Sequence, residues 1–263
     1  MGMNEQEMQD AAAVLWRYGE QSLRVHALPE HCRPSDRAEG YAIQERLARV
    51  SGQRVIGWKI AATSLAGQAH IHVDGPLAGR LLVGRVLEGG ATVSLEGNSM
   101  RVAEAEFAFR FRKSLGKRDR PYSADEVIDA VESLHPAIEV PDSRYEDYKI
   151  MGAPQLIADN ACACWFLLGP AAGVDWRDYD LVQHQVVAYR NSELQGRGSG
   201  AGVLGDPRNA LVWIANELGR FGNGLLAGEV VTTGTITTPV PIRPGDRVRI
   251  DFGDFGAIAA SFS

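Results

Sequence analysis

The chain has 263 residues, of which 45% are hydrophobic and 8% aromatic, and its formal net charge is −6. This length and apolar content exclude a disordered protein, and the negative charge argues against nucleic acid and anionic membranes as partners. The N-terminal stretch lacks the charged and apolar regions of a signal peptide, and no apolar run approaches the roughly 18 residues of a membrane span. We therefore expect a cytoplasmic protein that binds small molecules.

The first part of the chain carries helical signals. Residues 5–18 and 35–51 are predicted to be helices, the second with Asp36 in its first turn and Gly52 at its end. From residue 54 onward, short apolar runs alternate with glycines, which is typical of strands and turns. These runs fall at residues 54–62, 102–111, 135–140, 161–169, 183–190, 229–236 and 246–262.

Two further helices are predicted among these strands. One covers residues 124–134 and opens with a capping box, and the other covers residues 207–220, with Asp206 as its cap. Many closely spaced strands with few crossover helices predict an α+β protein whose core is β-rich and mostly antiparallel, not a doubly wound parallel sheet. We expect a helical lobe at residues 1–52 and a β-rich catalytic domain at residues 53–263.

Two glutamates alternate with apolar residues in the run Val102–Phe111. Because strand residues two apart lie on the same face, about 6.5 to 7 Å from each other, Glu104 and Glu106 can converge on one hard cation. The alternative is a half-buried strand whose glutamates face solvent.

A third carboxylate, Glu139, lies between Ile138 and Val140 in another apolar run. A carboxylate in an apolar setting requires a nearby cation, because burial disfavours the charged form. That cation is a metal ion, a lysine or an arginine, and a salt bridge to the neighbouring Arg144 is the alternative to metal ligation.

Among the four lysines, only Lys59 lies inside an apolar run, next to Trp58 and Ile60. Its ammonium either reaches the surface or points into a site where it meets carboxylates. The three cysteines, Cys32, Cys162 and Cys164, match no disulfide or zinc pattern, so we expect reduced and mostly buried thiols.

Two other segments invite functional interpretations. The glycine-rich residues 195–207 lack the Lys-Ser/Thr ending of a phosphate loop, which favours a structural or substrate-shaping loop. His70 and His72 have no third ligand at a recognisable spacing, so surface exposure or a mobile loop is favoured over metal binding.

Several motifs, in order along nearly the whole chain, carry a family resemblance. They are GWKIAATS (57–64), VAEAEFAF (102–109), HPAIEVPDSRY (135–145), IADNACA (157–163), residues 196–218 and the tail from residue 234. Together they resemble the 2-keto-4-pentenoate hydratase and 2-oxo-3-hexenedioate decarboxylase group of the fumarylacetoacetate hydrolase superfamily.

The resemblance implies a β-rich mixed-sheet roll and a Mg²⁺ or Mn²⁺ ion held by Glu104, Glu106 and Glu139. It places Lys59 beside the metal and the substrate oxygens as an electrostatic stabiliser or proton handler. It also implies five substrate-binding positions, which are Ser64, Asp159, Asn160, Thr235 and Ser261.

This chain departs from the family pattern at the pocket edge. Many hydratases carry an Asp-aromatic-Gly element where this chain has residues 75–79, and Cys162 replaces a serine. These changes leave the metal ligands intact and bear on the identity of the substrate.

The activity implied is hydration of a 2-hydroxy-2,4-dienoate to a 4-hydroxy-2-oxo acid, with a small 2-oxo acid as the ligand. The alternatives are decarboxylation of a 2-oxo-3-hexenedioate, hydrolysis of an acylpyruvate and a catalytically silent member that binds a metabolite or partner. Hydrolysis requires a base that activates water, and the candidate in this sequence is the pair Glu30 and His31 in the N-terminal segment. Homo-oligomers and complexes with another enzyme of a ring-cleavage pathway are also implied.

Overall fold

The computed structural model describes residues 2–263, which contain six α-helices and fifteen β-strands. The helices are α1 (Glu5–Glu20), α2 (Arg37–Val50), α3 (Leu65–His70), α4 (Ala124–Asp129), α5 (Gly152–Ala158) and α6 (Pro207–Phe221). The strands are β1 (Val55–Ala61), β2 (Leu77–Leu82), β3 (Val86–Glu88), β4 (Thr92–Val93), β5 (Val102–Phe111), β6 (Leu115–Gly116), β7 (Val131–Val140), β8 (Trp165–Leu168), β9 (Gln185–Arg190), β10 (Glu193–Ser199), β11 (Gly224–Leu225), β12 (Val230–Thr235), β13 (Val240–Pro241), β14 (Arg247–Asp251) and β15 (Ala257–Phe262). Among these residues, no helix combines the length and apolar character needed to cross a membrane.

Helix starts follow the capping signals in the sequence. Asn4 caps α1 and forms a capping box with Glu7, Asp36 caps α2, and Asp206 caps α6 with Pro207 as its first residue. These side chains accept hydrogen bonds from backbone N–H groups that have no partner within the helix. The predictions for the first two helices and the last one are confirmed.

The predicted helix at residues 124–134 is wrong in its second half. The capping box of Ser123 and Glu126 does open α4, but the helix ends at Asp129 and Val131 already begins β7. Strand pairing with β5 overrides local helical preference from Val131 onward, because the side chains of β7 pack into the core. The short helices α3 and α5 were not predicted.

An eight-stranded sheet is the centre of the molecule. Its order is β2-β1-β12-β5-β7-β8-β3, with β13 also paired to β5, and most neighbours are antiparallel. The two edge strands, β2 and β3, are joined only by the short turn Val83–Arg85. The sheet therefore curls until its edges meet, which gives the expected roll of an α+β protein.

The inside of the roll is filled by a small apolar cluster below the acidic residues. Its buried members are Leu81, Ala108, Ala137, Phe166 and Val230. The opposite face of the sheet packs into the main core, which also includes α6 and the five-stranded sheet β10-β9-β14-β15-β4. The glutamate face of β5 contains the buried Glu106 and Ala108 and the partly exposed Glu104, so the alternative in which both glutamates face solvent is wrong.

The N-terminal helices form a second apolar cluster. Leu15, Ile43 and Leu47 pack there with Tyr145 and Ala158, which come from the β-rich part of the chain. The division of the chain near residue 52 stays a prediction.

Candidate metal centre

The register of two neighbouring strands brings the three predicted glutamates together. Glu104 on β5 lies directly opposite Glu139 on β7, and Glu106 lies one side-chain position further along the same face. One carboxylate oxygen from each residue falls within 4.8 Å of the other two. Long-range strand pairing therefore assembles a site from residues more than thirty positions apart.

The site is largely buried, with Glu104 partly exposed, and contains one ammonium group. Glu106 is 0% exposed, Glu139 1% and Lys59 2%. Lys59 Nζ lies 2.9 Å from Glu139 Oε1, and it also donates a hydrogen bond to Ala161 O at 3.0 Å. Of the two predicted alternatives for Lys59, the one in which it points into a site with carboxylates is confirmed.

Arg144, the alternative partner of Glu139, binds elsewhere. Its guanidinium forms an ion pair with Asp159, whose carboxylate also accepts a hydrogen bond from Ser143 Oγ at 2.6 Å. Arg144 thus neutralises Asp159, and Glu139 is left to Lys59 and to any bound cation.

The electrostatics of the site reflect crowded acids in a dry environment. Burial and the charge of Glu139 raise the pKa of Glu104 to about 7, although Lys59 opposes this shift. The same two causes raise the pKa of Glu106 well above its ordinary value. Burial alone would lower the pKa of Lys59, but the three carboxylates together raise it, so its ammonium keeps its proton.

The arrangement fits a divalent metal ion. Glu106 Oε1 and both oxygens of Glu139 are buried without a hydrogen-bond partner, because the contact with Lys59 has ion-pair rather than hydrogen-bond geometry. One ammonium against three ionised carboxylates leaves two negative charges, which a divalent cation neutralises. One oxygen from each of the three carboxylates lies within 4.8 Å of the other two, so the three side chains are close enough to hold one divalent ion together.

A strained turn holds Lys59 in place. Asn160, Ala161 and Cys162 all have positive φ, at 55°, 49° and 61°, which non-glycine residues rarely adopt. The turn presents Ala161 O to Lys59 Nζ, and the buried Asp159 anchors it through Ser143 and Arg144. Strain of this kind persists only where the surroundings impose it, and such positions cluster at functional sites.

Two further contacts fix the same turn. The Asn160 side chain accepts a hydrogen bond from Arg80 N at 2.6 Å and donates one to Arg80 O at 2.9 Å. A Cβ at Gly79 would lie 2.3 Å from Asn160 O and 3.1 Å from Lys59 Cδ. Glycine is therefore required at position 79 for β2 to approach the turn and the lysine.

A backbone amide orients Glu106. Gly234 N donates to Glu106 Oε2 at 2.9 Å, and Gly234 has φ of +92°. A Cβ at this position would lie 2.1 Å from Thr63 Oγ1, so both the conformation and the space require glycine.

The five predicted substrate-binding residues are not equivalent. Ser64 caps α3 by accepting from Gly67 N at 3.0 Å, and Thr235 pairs with Glu106 across β12 and β5. Ser261 lies on the five-stranded sheet, paired with Arg247 and Thr92. The side chains of Asp159 and Asn160 are engaged with protein groups, as described above.

The other segments singled out by sequence lie outside the site. His70 Nε2 is 3.4 Å from Tyr148 Oη, and His72 Nδ1 is 3.1 Å from Lys149 O, both at the surface. The glycine-rich segment forms β10 and a turn, where a Cβ at Gly198 would lie 2.0 Å from Ile236 O. These close contacts support a structural role for that segment.

The N-terminal pair considered for hydrolysis is not among the carboxylates of the acidic centre. Glu30 and His31 form a short 3-10 helix, where His31 is exposed and lies 3.9 Å from Asp10. The cysteines are free thiols, with Cys32 and Cys162 buried and Cys164 partly so.

Sequence reasoning missed the backbone groups of the site. Ala161 O and Gly234 N are backbone atoms, so the residue type does not predict their role. The left-handed turn contains alanine and cysteine, which rarely adopt positive φ and so give no sign of it in the sequence. The available signal was glycine inside two strands, at positions 79 and 234.

The fold and site define a rolled-sheet protein in which three converging carboxylates and a lysine offer a donor set suited to a divalent cation. Residues 84–263 match the family described as fumarylacetoacetate (FAA) hydrolase, C-terminal. The chain belongs to the fumarylacetoacetate hydrolase family, which confirms the resemblance inferred from the motifs.

Similar proteins include several hydratases. The chain is 33% identical over 256 residues to 2-keto-4-pentenoate hydratase 1 of Dechloromonas aromatica (strain RCB), covering 96% of each chain. It is 36% identical over 220 residues to 2-hydroxyhexa-2,4-dienoate hydratase of Comamonas testosteroni, covering 83% of this chain and 82% of the relative.

A solved structure extends the similarity over the whole fold. The 4-oxalocrotonate decarboxylase from Pseudomonas putida G7, complexed with magnesium and adipate, superposes with a TM-score of 0.89 at 27% identity, covering 99% of both chains. A second structure of that enzyme is complexed with calcium and acetate. The predicted fold is confirmed, and a divalent metal suits the acidic centre of this chain.

Proposed function

We propose that the protein is a metal-dependent hydratase that adds water to a 2-hydroxy-2,4-dienoate such as 2-hydroxypenta-2,4-dienoate. The observation that carries the proposal is the largely buried centre of Glu104, Glu106 and Glu139 facing Lys59. The similarity to hydratases over nearly the whole chain supports it. Carbon 5 of the substrate gains a proton and carbon 4 gains the hydroxyl of water. Carbon 3 also gains a proton and the C2 hydroxyl loses one, which gives a 4-hydroxy-2-oxo acid.

Magnesium is the proposed ion, because oxygen ligands favour hard cations and the similar Pseudomonas enzyme contains it. Manganese has the same preference for oxygen and is the expected substitute. When bound, the ion supplies Lewis-acid chemistry to the substrate's carboxylate and neighbouring oxygen. Glu104, Glu106 and Glu139 are the residues proposed to hold it.

Lys59 is the proposed catalytic residue. Its pKa is raised by the three carboxylates, so Nζ holds a proton and a positive charge inside a dry pocket. A fixed charge of this kind stabilises negative charge that develops on substrate oxygens, with little reorganisation. The hydrogen bond to Ala161 O fixes the direction in which Nζ points.

The remaining predicted residues receive two kinds of role. Ser64, Thr235 and Ser261 are proposed as hydroxyl contacts for the substrate and its carboxylate, with Thr235 next to Glu106 in register. Asp159 and Asn160 are proposed to act indirectly, by holding the turn that bears Ala161 O. Their own polar atoms are occupied by protein partners.

Product analysis tests the proposal. The protein is incubated with 2-hydroxypenta-2,4-dienoate, with and without Mg²⁺, and the products are measured by mass spectrometry. Magnesium-dependent gain of one water supports hydration, and Glu106→Gln should abolish that gain. Unchanged substrate with the folded, magnesium-loaded protein would reject the proposal for this substrate.

Decarboxylation is the second candidate, favoured by the high structural similarity to 4-oxalocrotonate decarboxylase. The same centre can accept the electrons that remain when carbon dioxide leaves a vinylogous 2-oxo acid. Incubation with 2-oxo-3-hexenedioate separates the two, because decarboxylation removes carbon dioxide whereas hydration adds water. We also propose a homo-oligomer in the cytoplasm that can associate with another enzyme of the same pathway, which size-exclusion chromatography and co-purification would test.

A further inference from the structure

The roll has a seam on its side. Strands β2 and β3 are the edges of the eight-stranded sheet, and they are neighbours in sequence but do not pair with each other. The turn Val83–Arg85 joins them at one end, and the segment that leads into β8 lies beside them. An opening between these strands leads toward the inside of the roll, where the carboxylates lie.

A cavity of about 20 Å³ occupies this seam. Glu139 lines it from inside the roll, and Arg80, Leu81, Asn160 and Cys164 are among its other lining residues. About 10–15 Å³ of such space suffices for one water molecule, provided that polar partners are present. Glu139 supplies such a partner, since it is 1% exposed and neither of its oxygens has a hydrogen bond.

A larger cavity of about 270 Å³ lies directly outside the seam. It is bounded on its far side by α1, through residues such as Trp16 and Glu20. The two cavities share six lining residues, which are Leu82, Arg85, Asn160, Ala163, Cys164 and Trp165. They are therefore adjacent spaces separated only by these side chains.

The charges around the larger cavity suit water better than an anion. Arg24 forms an ion pair with Asp142 at 2.5 Å, and Arg85 forms one with Glu20 at 3.1 Å. The guanidinium of Arg144 is paired with Asp159. Each arginine of this cavity already has a carboxylate, and Glu96 adds a further acid to the lining, so the walls are polar and do not favour an anion.

We propose that the seam cavity holds a water molecule bonded to Glu139, and that the two cavities form a side route for water into the metal centre. Metal coordination and Lys59 leave lone pairs on the Glu139 carboxylate for this water. The route rests on the proposed hydration, because a substrate in the centre obstructs direct entry and one water is consumed per turnover. The water oxygen bonds to carbon 4, and overall one water proton replaces the proton delivered to carbon 5.

Cys164 allows a paired test, because it lines both cavities and is not a ligand of the centre. Burial raises the pKa of its thiol to about 11, so apolar replacements change size without removing a charge. Cys164→Leu fills the seam, whereas Cys164→Ala leaves it open. Ala163→Val narrows the same place from the adjacent residue and serves if Cys164→Leu fails to fold.

Two readouts are measured on each magnesium-loaded protein. High-resolution diffraction should find a water bonded to Glu139 in the wild type and in Cys164→Ala, and none in Cys164→Leu. With 2-hydroxypenta-2,4-dienoate, kcat of the filled variant should fall about tenfold or more, with KM and Mg²⁺ affinity unchanged. The ketonised, unhydrated 2-oxopent-3-enoate should accumulate in that variant.

The outcomes separate this route from the proposed function. A wild type without hydratase activity overturns the function, while the presence of the seam water is still decided by diffraction. A wild-type structure without that water, or a filled variant that hydrates at the full rate, overturns the route and leaves the hydratase proposal intact.

Discussion

Replacing Glu106 by glutamine separates the requirements of metal binding from those of folding. Glu106 is 0% exposed, and its pKa is raised well above its ordinary value by burial and by Glu139 and Glu104. A neutral amide of the same shape removes this electrostatic cost and keeps an oxygen for Gly234 N, which donates to Glu106 at 2.9 Å. We expect Glu106→Gln without metal to be at least as stable as the wild type.

The magnesium-bound state should respond in the opposite direction. Loss of residues that merely orient metal ligands weakens metal binding by about 10- to 100-fold, and loss of a direct ligand should reach at least the upper figure. At a magnesium concentration about 100 times the wild-type Kd, binding stabilises the wild type by about 2.7 kcal/mol. A variant with 100-fold weaker binding gains only about 0.4 kcal/mol under the same conditions.

The assay is urea unfolding with and without Mg²⁺, and Glu229→Gln is the matched control. Glu229 is also a buried acid, and burial raises its pKa. Its carboxylate accepts hydrogen bonds from Leu226 N and Trp58 Nε1 instead of facing the centre. The control should keep the full magnesium stabilisation. Equal magnesium stabilisation of wild type and Glu106→Gln would refute the assignment of Glu106 as a ligand.

Three further predictions concern the same centre. Lys59→Met should lower kcat by at least about 100-fold, because a fixed charge beside the substrate is lost. Its magnesium affinity, measured by calorimetry, should be retained or increased. An unchanged kcat would show that Lys59 has no role in catalysis. Gly79→Ala should destabilise the protein by about 1–3 kcal/mol in chemical unfolding, since its Cβ would lie 2.3 Å from Asn160 O. The control Gly116→Ala, with open space around its Cβ, should be tolerated. Equal stability of the two variants would contradict the close approach of Gly79 to Asn160 O. Because the carboxyl pKa values are raised in the folded protein, these groups stabilise the fold at a pH below their pKa in the unfolded chain. This contribution is lost as the pH rises through the pKa in the folded protein, which is about 7 for Glu104. Without metal, the protein should therefore lose stability between about pH 5 and 8, by up to about 1.4 kcal/mol per pH unit for each proton released. Saturating Mg²⁺ should flatten this slope. Parallel slopes with and without Mg²⁺ would argue against a linkage between metal binding and protonation of these carboxyl groups.

Local pattern identified the candidate side chains of the centre but left their roles open. Alternation in Val102–Phe111 placed Glu104 and Glu106 on one face of a strand, because side chains in strands alternate with a period of two. The apolar neighbours of Glu139 and Lys59 indicated burial, and burial of charged groups requires a partner. The resemblance then supplied the connection among the four residues.

What the sequence could not predict depends on long-range pairing. The choice of Lys59 over Arg144 as the partner of Glu139 depends on the curl of the sheet and on Asp159 being buried beside Arg144. The early end of α4 arises from the pairing of β7 with β5, which no local signal after Asp129 reveals. The seam between β2 and β3 likewise exists only once the roll closes.

Anomalous diffraction from crystals soaked in Mn²⁺ would locate the metal itself, because manganese prefers the same oxygen ligands as magnesium and scatters anomalously. We expect one strong peak at about 2 to 2.5 Å from carboxylate oxygens of Glu104, Glu106 and Glu139. That peak should be lost in Glu106→Gln and retained in Glu229→Gln. A strong peak bound elsewhere, with none among these three carboxylates, would contradict the metal centre.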